Sequence, residues 1–87
     1  MKKRIVHLVL KYHWYDMIVA GKKHVEHRSI TERWLSMLVA RPVDAIVFHR
    51  GYTSTTVQKD VVHVDLGPDT DPGPHLGKGK YIRLWLQ

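Results

Sequence analysis

Between His7 and Arg28 the spacing of the apolar residues changes twice, and this change restricts the fold more than any other feature of the chain. His7 to Lys11 is a near-continuous apolar run of strand-forming residues, the pattern of a strand buried on both faces, and is expected to lie centrally in a sheet. From Tyr12 to Ala20 the period lengthens: Tyr15, Ile18 and Val19 recur at helical spacing, and Gly21 stands where a left-handed C-terminal cap is wanted. Lys23 to Arg28 returns to strand. Side chains alternate along a strand, so Glu26 and Arg28 share one face, Val25 and His27 the other, and Lys23 sits at the mouth. Two readings of Gly21-Lys22-Lys23-His24-Val25-Glu26-His27-Arg28 stay open, a site or a polar strand face with a surface ion pair.

The second helix is announced by Ser29-Ile30-Thr31-Glu32, which matches a capping box in which Ser29 and Glu32 satisfy orphan amides reciprocally. It carries Trp34, Leu35 and Leu38 on one face and ends before Arg41-Pro42, because the residue before proline disfavours helix. Trp34 and Tyr15, at helical spacing, are assigned to the core. Val43 to Phe48 reads as a buried strand and Thr56 to Leu66 as a longer one, the two forming a hairpin-like pair. Their connection, His49-Arg50-Gly51-Tyr52-Thr53-Ser54, is too long for a two-residue turn and rich in hydrogen-bonding groups, which makes it a second candidate site. Gly67 to Gly79 has a proline- and glycine-rich composition unsuited to regular structure, and reads as a lid or a plain connector. Tyr81 to Leu86 closes the pattern as a strand with Ile82, Leu84 and Leu86 inward. Five strands with two short helices in one 87-residue domain, residues 1–87, predict a small α+β fold, and strand-dominated chains of this size often curl into a barrel.

Composition narrows the chemistry. No cysteine is present, so disulfides, thiolate nucleophiles and Cys-ligated zinc are excluded. Met1-Lys2-Lys3-Arg4 before an apolar stretch mimics a signal peptide, but His7 and Lys11 interrupt the run and no cleavage pattern follows; a cytoplasmic setting is expected. No apolar run approaches the roughly 20 residues that cross a bilayer. Fourteen Lys and Arg against eight Asp and Glu give a net charge of +6, which favours polyanions such as nucleic acid or a phosphorylated ligand. His24 and His27 fall on opposite strand faces and no HExxH pattern occurs, so neither a metal nor another cofactor is expected.

The stretch Tyr15-Asp16-Met17-Ile18-Val19-Ala20-Gly21-Lys22-Lys23-His24-Val25-Glu26-His27-Arg28 resembles the signature of the ASCH family, a helix followed by GxKxxExR. Ile30-Thr31-Glu32-Arg33-Trp34 and Val47-Phe48-His49-Arg50-Gly51-Tyr52 resemble the short, stand-alone bacterial or phage type of that family, and the resemblance runs from about His7 through Leu66. It implies a PUA-like fold, a small β-barrel with a cleft beside the first helix, and RNA or nucleotide ligands. Some members bind nucleic acid; small bacterial ones are amidohydrolases that deacetylate acetylated cytidine, and ribonuclease activity is also attributed to the family.

By that resemblance Lys23 matches the catalytic lysine of the amidohydrolases, and Arg28 the arginine that closes the motif. Glu26 stands where those enzymes carry a threonine nucleophile, and a glutamate cannot form the same hydroxyl-derived ester. They also use a glutamate from the second half of the barrel; no glutamate follows Glu32 here, and Asp60 and Asp65 are the strand acids available in its place. Binding and catalysis therefore both remain open. A binder would use Lys23, Arg28 and Arg50 for phosphates and stack a base on Tyr12, Trp14 or Tyr52, with single-stranded nucleic acid, RNA or a nucleotide as partner. An enzyme would use Glu26 as general base and Lys23 to stabilise an oxyanion. His49, beside Arg50, is expected either to contact ligand or to be a solvated loop histidine. A protein-interaction module using the cleft or the 67–79 loop is a third possibility.

Overall fold

The turn at Gly21 fixes the path of the N-terminal half. In the computed structural model, which describes residues 3–69 and 79–87, β1 (Ile5–Leu10) leads directly into α1 (Tyr12–Val19). The helix ends in a Schellman arrangement. The Gly21 amide donates to the Ile18 carbonyl and the Lys22 amide to that of Met17, with Gly21 at φ +74 where a Cβ would be strained. The chain reverses there into β2 (Val25–Arg28). Helix α2 (Glu32–Leu38) follows, then β3 (Ala45–Arg50), β4 (Thr56–Gly67) and β5 (Tyr81–Leu86). The α+β class and the element order match the sequence reading.

The five strands form one curled sheet, a half-barrel in the order β1-β3-β4-β5-β2. Curvature comes from β4, whose Thr56–Asp60 half pairs antiparallel with β3 while the rest pairs antiparallel with β5. A register shift between Val61 and His63 separates the halves, and Val62 there is 62% exposed. A bulge bends the bulged strand and increases its twist, which is what turning one strand from one partner to another requires. The concave face carries Val6, Leu8, Leu10, Ile46, Phe48, Ile82, Leu84 and Leu86, closed over by Tyr15 and Ile18 of α1 and Leu38 of α2.

Two expectations are corrected. Strand β1 is an edge strand, not a central one; it pairs in parallel with β3, and its burial alternates, leaving Ile5 and Val9 each 42% exposed on the outer face. An apolar run does not distinguish a strand covered on both faces from one whose outer residues merely border other apolar groups. The cap of α2 is Thr31 rather than Ser29: its Oγ1 accepts the Trp34 amide at 3.2 Å. Most of the 67–79 segment, residues 70–78, lies outside the described residues; Gly67 itself ends β4. Among the described residues no helix is long and apolar enough to cross a membrane.

β1 and β2 are joined in sequence by α1 alone, yet they form the opposite edges of the sheet. Curling brings those edges together, and the Arg28 Nη2 donates to the Val9 carbonyl across the gap at 3.3 Å.

Candidate cleft at the open seam of the half-barrel

Glu26 explains why this seam is polar. Its cross-strand neighbour is Leu84, which is fully buried, so the carboxylate enters the sheet face that elsewhere carries the core. A buried carboxylate costs several kcal/mol unless it is paired and hydrogen-bonded. Here both oxygens are engaged. Oε1 accepts the His27 amide at 3.2 Å and lies 3.4 Å from Lys23 Nζ; Oε2 accepts Arg28 Nε at 3.1 Å and Nη2 at 2.9 Å. Glu26 is 4% and Lys23 7% exposed, whereas Arg28 reaches the surface. Lys23 Nζ also sits 4.8 Å from the centroid of the Trp14 ring, and the Arg28 guanidinium 5.2 Å from that of Trp34.

Two adjoining cavities open along the seam. The smaller, about 260 Å³, is lined by Val9, Leu10, Lys11 and Trp14 from the β1–α1 side and by Lys23, Glu26, His27 and Arg28 from the β2 side. The larger, about 540 Å³, shares Val9, Leu10, Lys11 and Arg28 and adds Leu8, Arg33, Trp34, Gly51 and Tyr52. Among the described residues their charged lining is Lys11, Lys23, Arg28 and Arg33 against the carboxylate of Glu26. Tyr52 is 97% exposed at the tip of the β3–β4 loop.

The structure thus brings together five of the residues singled out in the sequence, Lys23, Glu26, Arg28, Trp14 and Tyr52. It keeps three apart. Arg50 forms a two-point ion pair with Asp16, Nε to Oδ1 at 2.9 Å and Nη2 to Oδ2 at 3.0 Å, and lies 4.2 Å from the centroid of Tyr12. These hydrogen bonds hold the Asp16 carboxyl below its ordinary range and raise the Arg50 guanidinium above its own. Tyr12 is fixed in that stack against Gly51, where φ is +58 and an added Cβ would come within 2.6 Å of the ring. His49 is hydrogen-bonded to His7, with 2.8 Å between Nε2 and Nδ1, across the outer face of β1 and β3. Arg50, Tyr12 and His49 line neither cavity. Conversely, Lys11, Arg33 and Trp34 were not singled out as ligand residues. Trp34 packs against the core, as its spacing indicates, and also lines the larger cavity.

Asp60 and Asp65, the strand acids after Glu32, do not line the cavities either. Asp65 accepts Arg83 Nε and Nη2, each at 2.7 Å, and Trp85 Nε1 at 3.1 Å. A Cβ at Gly67 would collide with the Arg83 guanidinium, so glycine is what lets this arginine lie across the sheet. The Arg83 hydrogen bonds, aided by Trp85, hold the Asp65 carboxyl down at about 2 from an ordinary 3.8. Between those values the unfolded chain binds the proton and the folded one does not, so this contribution is complete above the unfolded value and disappears as pH falls through the folded one. Comparing acid unfolding of wild type and Asp65→Asn should show a stability gap that is constant above about pH 5 and closes toward about pH 2. A gap independent of pH would sink the assignment.

No protein-family model matches the chain, and no curated protein matches it in sequence.

Proposed function

We propose that this protein binds single-stranded nucleic acid, or the nucleotides that compose it, in the seam between β1 and β2. The observation that carries the reading is the pairing of cations with aromatic surfaces in one groove: Lys11, Lys23, Arg28 and Arg33 beside Trp14, Trp34 and Tyr52. Such a groove attracts phosphates through the cations, while the rings offer bases a stacking surface that tolerates any sequence. The net charge of +6 adds long-range attraction for a polyanion. The resemblance to the ASCH signature points the same way.

Glu26 weighs against hydrolysis. A general base needs a lone pair directed at the proton it takes, and the Glu26 oxygens already face Lys23, the His27 amide and two Arg28 nitrogens. Its role in this reading is to hold Lys23 and Arg28 in place. The test is titration of a labelled single-stranded oligonucleotide over a series of salt concentrations. Log affinity should fall linearly with log salt, by about 0.7 per phosphate neutralised. Affinity indifferent to salt, or turnover of acetylated cytidine abolished in Lys23→Ala, would overturn the reading.

A further inference from the structure

The geometry points to a two-nucleotide site: the seam takes two successive nucleotides of a single strand, one base in each cavity, with the linking phosphate at the wall formed by Lys11 and Arg28. This rests on the binding reading above and specifies its ligand. Cavities that hold a drug-sized ligand run from roughly 300 to 1,000 Å³. The smaller one, at about 260 Å³, falls below that range and suits a single base or nucleoside. The larger, at about 540 Å³, has room for a second beside Trp34 and Tyr52. They are not independent sites, because Lys11 and Arg28 line both.

Arg28 is suited to the bridging position. Its hydrogen bonds among the described residues use Nε and Nη2, to Glu26 and to the Val9 carbonyl, so the guanidinium plane is fixed from both edges of the sheet. Nη1 makes no hydrogen bond among the described residues. A guanidinium already held in place loses little freedom when it meets a phosphate. Lys11, exposed between β1 and α1, supplies a second cation lining both cavities. Trp14, with Lys23 Nζ over its ring, lines one cavity; in the other the Arg28 and Arg33 guanidinium groups lie over Trp34, and the exposed ring of Tyr52 is the surface on which a base can stack.

The test compares pU, UpU and a UpU whose link is an uncharged methylphosphonate, with the deoxy series run in parallel. If charge alone governed binding, pU with its doubly ionised phosphate would bind best. The two-nucleotide site predicts that UpU binds about tenfold more tightly than pU, the increment of one further stacked base, and that the methylphosphonate loses most of this gain. Tightening in either sugar series supports the site. Trp34→Ala should bring UpU back to about the level of pU. Since Trp34 also packs against the core, Tyr52→Ala, at a fully exposed position, should move in the same direction without affecting the fold. UpU binding no tighter than pU would overturn this inference and leave nucleotide binding standing, whereas no binding of any of the three would overturn both.

Discussion

Glu26→Gln is expected to destabilise the protein by about 3–5 kcal/mol, the cost of removing one partner from a buried ion pair. The glutamine keeps the volume but withdraws the negative charge from Lys23 and from the two Arg28 nitrogens it now satisfies. Small domains are stable by only about 5–15 kcal/mol. At about 4–8 °C per kcal/mol for a chain of this size, the midpoint of thermal unfolding should drop by well over ten degrees. A triple variant separates stability from function. Lys23→Met, Glu26→Leu and Arg28→Leu together replace the charged cluster by apolar groups, and such replacements are often neutral or stabilising by about 1–4 kcal/mol. The triple variant should therefore melt near or above wild type and bind no nucleic acid. A Glu26→Gln protein that melts like wild type would show that the cluster is not held by that carboxylate.

Reversing two exposed cations of the groove, Lys11→Glu with Arg33→Glu, should weaken single-strand binding by about 100-fold. Hydrogen bonds to charged groups contribute about 1.5–3 kcal/mol, and 1.4 kcal/mol is a factor of ten, so two lost phosphate contacts reach that range. Neither residue is buried, and stability should stay within about 0.5 kcal/mol of wild type. The deficit should shrink as salt is raised and the exposed charges are screened. Binding within twofold of wild type at low salt would place the ligand elsewhere. Arg50→Ala is a useful contrast. That arginine is occupied by Asp16 and stacked on Tyr12, so its loss should loosen the α1–β3 contact and leave affinity nearly unchanged.

What the sequence revealed of this molecule was mostly what short spacing determines. The Gly21 cap needs only the helix before it, and the inward set Ile82, Leu84, Leu86 needs only alternation; both occur as expected. Lys23, Glu26 and Arg28 lie within six residues, so their meeting was visible too. Strand order was not. Nothing local to the run from His7 to Lys11 distinguishes the edge of a sheet from its centre, and the outward Val9 made it look buried on both sides. That hid part of the lining of the cleft. Lys11, Arg33 and Trp34 reach it only because the two sheet edges meet, a long-range fact. The pairing of Arg50 was hidden for a similar reason, since its partner Asp16 lies 34 positions earlier in the chain. Ser29 and Thr31 both precede α2 at plausible cap positions, and the backbone path out of β2 selected Thr31.

The three tryptophans of the chain offer a built-in test of where the ligand sits. Trp14 and Trp34 line the seam, while Trp85 is bonded to Asp65 through its indole nitrogen and lines neither cavity. The measurement is a titration of isotope-labelled protein with a short single-stranded oligonucleotide, following the three indole N–H resonances by NMR. The seam account predicts that the Trp14 and Trp34 signals shift together and saturate at one affinity while Trp85 stays in place. Movement of Trp85 with Trp14 and Trp34 unmoved would contradict it.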